Sequence, residues 1–63
     1  MNKELLERTI ETLKWVIEDD AGFLQWSKDK PENERDTEMI EHLSWIVEER
    51  TDIVEQLTKI QSI

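Results

Sequence analysis

The sequence predicts an all-α protein, an antiparallel two-helix hairpin with an internal pseudo-repeat that dimerises into a four-helix bundle. Three observations lead there. The 63 residues include one Gly and one Pro and show no strict period-two alternation. Apolar residues recur at helical spacing in two long stretches on either side of a polar one. Residues 10–25 also return, thirty positions on, as residues 40–55.

The first stretch carries Leu6, Ile10, Leu13, Ile17 and Leu24 at steps of four, three, four and seven. That is the stripe of an amphipathic helix. Asn2 suits an N-cap, since its side-chain oxygen can accept from the first free backbone N–H groups. Helix one is therefore expected over about residues 2–26. Gly22 lies inside it at a cost of about 1 kcal/mol relative to Ala, which a kink or a close helix contact would explain.

Residues 27–36 contain no apolar side chain except the Pro31 ring, which makes them the turn. Pro31 followed by Glu32 and Glu34 also resembles a helix start, because Pro fits the first helical position and acids favour the positive end of the dipole. Helix two thus begins either at Pro31 or later, with Asp36 or Thr37 as its cap (about residue 37), and runs to about Ile60. Its stripe is Met39, Ile40, Leu43, Val47, Val54 and Leu57. The tail from Lys59 to Ile63 can extend the helix, fray or pair between subunits. A short polar connection between two long helices makes them antiparallel neighbours. The whole chain, residues 1–63, reads as one domain.

The repeat pairs Ile10, Glu11, Leu13, Trp15 and Glu18 with identical residues at Ile40, Glu41, Leu43, Trp45 and Glu48. Two amphipathic helices match partly by necessity. The shared Trp goes further and fits either a duplication or convergent use of equivalent positions. Both give the hairpin an approximate internal two-fold.

Each helix carries more apolar surface than one seam can hide. At about 100° per residue, Leu5, Val16 and Phe23 form a flank about 80–100° from the Leu6 stripe. Trp15 lies about 180° and Trp26 about 200° round, and Trp45 some 140–160° from the Leu43/Val47 stripe. An aromatic side chain offers on the order of 150–250 Å² to bury, and contiguous apolar patches usually mark an interaction surface. A chain of this size buries only roughly 60% of its unfolded surface, so small proteins recruit disulfides, metals or self-association. No Cys is present and only one His. Self-association remains, and a homodimer is its simplest form.

The charge balance is 8 basic against 16 acidic residues, net −8. That sign opposes direct nucleic-acid binding and anionic membranes. No run of 18 apolar residues and no basic leader before an apolar stretch occurs, so the expected location is the cytoplasm. The single Gly excludes phosphate-cradling G-x-G-x-x-G and Walker loops. Ser27, Ser44 and Ser62 stand in no nucleophile constellation with His42. His42 follows Glu38 by four, but the di-metal bundles need Glu-x-x-His on two helices. Met39 stands three before His42, and helix one has no His. No catalytic residue, cofactor site or metal site is expected.

The expected function is that of a small acidic, non-enzymatic protein–protein interaction module. It would act as a homodimer that regulates a larger cytoplasmic protein, with Trp15, Phe23, Trp26, Trp45 and Ile53 as contact residues. Trp is enriched in binding hot spots. Size and charge alone favour a regulator of the kind that phages and mobile elements encode. The alternative uses the acidic surface of Glu18, Asp19, Asp20, Glu48 and Glu49. In that reading the chain imitates DNA and occupies the basic surface of a nucleic-acid-binding protein, as an inhibitor or antirepressor.

Overall fold

The computed structural model describes residues 2–63. It consists of helix α1 (Lys3–Lys28), a single 3-10 turn (Glu32–Glu34) and helix α2 (Thr37–Gln61), with α1 packed along α2. The two helices form an antiparallel hairpin measuring 48 × 14 × 13 Å.

Capping explains where the helices start. The Asn2 side chain accepts from the backbone N–H of Glu4 at 2.8 Å and of Leu5 at 3.3 Å. Asp36 accepts from the Met39 N–H at 3.1 Å, so Asp36 rather than Pro31 opens the second α-helix. Pro31 instead precedes the 3-10 turn, with its carbonyl accepting from Glu34 N–H at 2.8 Å. The Arg35 Nε donates to the Lys30 carbonyl at 2.8 Å and ties the two sides of the connection together.

Helix α1 runs two residues past the expected boundary at Trp26. The reason is physical: Ser27 turns inward and is buried, while Lys28 places a cation at the negative end of the dipole. Helix α2 extends through Gln61, so most of the tail is helical. Gly22 is not held by close approach, because a Cβ built there would meet nothing within 4 Å.

The core is thin. Leu6 at 5% and Ile10 at 4% exposure are the buried apolar side chains among the described residues. Leu13, Ile17, Leu24, Leu43, Val47, Val54 and Leu57 line the seam only half-buried. The accessible surface is 5110 Å². A compact monomer of this 7.6 kDa mass has about 4300 Å². The radius of gyration, 14.6 Å, likewise exceeds the ~10.6 Å of a compact 63-residue domain.

Candidate interaction surface

One cross-helix ion pair orients everything else. Asp20 of α1 accepts a hydrogen bond from Arg50 of α2, and both side chains are partly sheltered. Among the described residues it is the one ion pair joining the two helices. The partners are thirty residues apart, the offset of the internal repeat. Equivalent positions that touch each other lie on the two-fold relating the repeats. The pseudo-axis therefore passes between Asp20 and Arg50, perpendicular to the plane of the hairpin.

That axis decides which side chains share a face. On α1, Leu5, Val16 and Phe23 lie about 80–100° to one side of the seam. On α2, Ile46, Ile53 and Ile60 lie about 60–100° from Leu43, in the same sense of rotation. A two-fold between antiparallel helices preserves that sense, so both flanks form one broad apolar face. Leu5, Phe23, Ile53 and Ile60 are exposed on it, as is His42 on the same line of α2 as Ile60, and Val16 and Ile46 are half-buried beside Asp20 and Arg50. The opposite broad face holds Lys14, Ala21, Gln25, Ser44, Thr51 and Thr58, with Ile40 half-buried at its turn end, and no large apolar side chain is exposed on it. Thr51 and Thr58 donate their hydroxyls back to the Val47 and Val54 carbonyls, so those two groups are satisfied within their own helix.

The outer edges are different again. Trp15 is 71% exposed and Trp45 61%, each pointing away from the seam on its own helix. Glu18 and Asp19 follow Trp15 by three and four residues, and Glu48 and Glu49 follow Trp45 likewise. Residues three and four apart are neighbours on a helix surface. Each edge thus presents one indole with an acidic pair one turn away, and all four acids are exposed.

Trp26 belongs to neither edge cluster. Its ring lies 5.6 Å from that of Phe23, tilted by 33°. The Lys30 ammonium sits 4.1 Å from a Trp26 ring centroid, a cation–π contact at the turn end.

The five expected contact residues therefore divide. Trp15 and Trp45 occupy the edges, Phe23 and Ile53 the broad face, and Trp26 caps its turn end. Asp20 departs from the expected acidic surface: its carboxylate is engaged by Arg50 and only Glu18, Asp19, Glu48 and Glu49 stand free of it. Leu5 and Ile60 were not among the expected contacts. Both repeat the flank spacing, so the signal was the same one that marks Phe23 and Ile53. His42 is exposed, and among the described residues no three His, Cys, Asp or Glu side chains gather as a metal would require. Among the described residues no helix is long and apolar enough to cross a membrane.

No protein-family model, curated protein or solved structure matches the chain.

Proposed function

We propose that the chain is a non-enzymatic interaction module that works as a homodimer and regulates a larger cytoplasmic protein. Its size and charge suit a regulator of the kind encoded by phages and mobile elements. The observation that carries the reading is the separation of two kinds of exposed apolar surface. The broad face gathers Leu5, Phe23, Ile53 and Ile60 on one side of the hairpin. The edges carry isolated indoles, Trp15 and Trp45, each beside an acidic pair. A second hairpin laid on the broad face leaves both edges open. An edge then fits a partner offering a pocket for an aromatic ring with Lys or Arg at its rim. The indole supplies the affinity, as Trp does in hot spots, and the acids speed and orient the encounter.

A second reading rests on the same acids. Glu18, Asp19, Glu48 and Glu49 are exposed, and a dimer carries twice −8, or −16. Such a surface can occupy a basic groove in place of DNA.

Capture from a cytoplasmic lysate by the immobilised full chain separates the two. It is run at 0.1 M and 1 M salt, where the screening length falls from ~10 Å to ~3 Å. A parallel column carries the Trp15→Ala/Trp45→Ala double variant. A protein retained at high salt and lost on the variant supports docking through the indoles. One released by salt and indifferent to the variant supports charge mimicry. Identical captures on both columns at both salts contradict both.

A further inference from the structure

We infer that the broad face is covered by the same face of a second copy, with both turns at the same end and each Asp20 opposite the partner's Arg50. The inference rests on the homodimer reading above and adds the face, the orientation and the register.

The amount of surface fits a second copy. The hairpin exposes roughly 800 Å² more than a compact protein of its mass. A standard protein interface removes about 800 Å² from each partner. The face also has the symmetry of an isologous contact, since its left and right halves are the two repeats, Val16-Asp20-Phe23 and Ile46-Arg50-Ile53.

Two face-to-face arrangements keep all neighbouring helices antiparallel. In one, the dimer axis runs along the helices, α1 stacks on the partner's α2, and the turns lie together. In the other, the axis runs across the helices, α1 stacks on its own copy, and the turns lie at opposite ends. The Asp20–Arg50 pair distinguishes them. With the axis along the helices, all four charged side chains share one level by symmetry, and their signs alternate round the square. With the axis across, Asp20 faces Asp20 and Arg50 faces Arg50. Like charges brought together away from water repel, and the contact also loses the alternation that satisfies each carboxylate twice.

The ends of the face agree. Leu5 lies fifteen positions before Asp20. In the crossed arrangement the position facing it is fifteen after Asp20, which falls at Arg35 in the polar connection. In the aligned arrangement the open ends lie together, so Leu5 is set against the C-terminal end of the partner's α2, which carries Ile60, and apolar covers apolar. A charged layer inside a largely apolar interface also opposes sliding, the best-attested use of such groups.

The chain has no Cys, so a single Asn33→Cys substitution in the exposed 3-10 turn gives one unique labelling site. Sedimentation equilibrium first gives the mass of the spin-labelled chain. Electron–electron distance measurement on the same sample then gives the label separation. The expected result is a dimer with labels separated by well under half of the 48 Å hairpin length. A dimer with labels near that full length overturns the orientation while leaving the homodimer reading intact. A monomer at every concentration overturns both. As a check on the face, Phe23→Lys is expected to weaken association at least tenfold, whereas Trp15→Ala leaves it within twofold. The reverse ranking puts the interface on the wrong surface.

Discussion

Asp20 and Arg50 occupy the same position of the internal repeat and are ion-paired with each other across the hairpin. Two residues related by a two-fold can touch only beside its axis, so this contact locates the centre of the molecule. It also explains why equivalent positions carry opposite charge there and nowhere else along the repeat core. Identical charges at that point would repel, and two apolar residues would leave register free.

The pair provides the first prediction. Exposed ion pairs couple by about 0.2–1 kcal/mol. A second copy laid over Asp20 and Arg50 removes their remaining water, so a double-mutant cycle with Asp20→Asn and Arg50→Met should give more than ~1 kcal/mol. Denaturant titration of the four proteins at one fixed concentration measures it. A coupling below ~0.3 kcal/mol means that the pair stays wet.

Gly22 provides the second. It sits mid-helix with no positive φ, and nothing lies within 4 Å of an added Cβ. Gly22→Ala should therefore raise stability by ~0.5–1 kcal/mol through the helix propensity gained. A loss of stability in thermal melts would show that a tight contact exists at this position in the assembled protein.

Ser27 provides the third. It is 1% exposed, and its hydroxyl is the buried side-chain polar atom without a hydrogen-bond partner among the described residues. Removing an unsatisfied hydroxyl costs little packing and spares its desolvation, so Ser27→Ala should stabilise by ~1 kcal/mol. Destabilisation in the same melts would mean that the hydroxyl finds a partner in solution.

Folding and docking should separate at different residues. Ile10 is buried at 4% exposure, and truncating it to Ala should cost ~2–5 kcal/mol. Trp15 is 71% exposed on an outer edge, and Trp15→Ala should change stability by less than ~0.5 kcal/mol. Comparable losses from the two substitutions in chemical denaturation would place Trp15 inside the assembled core and remove it as a docking residue.

Much of the hairpin was legible in the residue order. The steps between Leu6, Ile10, Leu13 and Ile17 mark a seam, and the same arithmetic places Trp15 opposite it, where it stands most exposed of the three indoles. Asn2 and Asp36 cap as short polar residues before apolar stripes do. The Asp20–Arg50 contact was not legible in that way. Asp20 ends the acidic run Glu18-Asp19-Asp20, and Arg50 follows Glu48 and Glu49 as any solvated cation does. Only the register of α1 against α2 brings them together, and register is a property of the turn and the seam jointly. The end of α1 was misplaced for a related reason: Ser27 carries no apolar signal, yet its small side chain is buried.

The central claim is that the broad face carrying Leu5, Phe23, Ile53 and Ile60 is shared between two copies. Sedimentation equilibrium of the unmodified chain at micromolar concentration tests it most directly. The account predicts a particle of about twice the 7.6 kDa chain mass, with a melting temperature that rises with protein concentration. A 7.6 kDa particle that melts cooperatively at a concentration-independent temperature would contradict it.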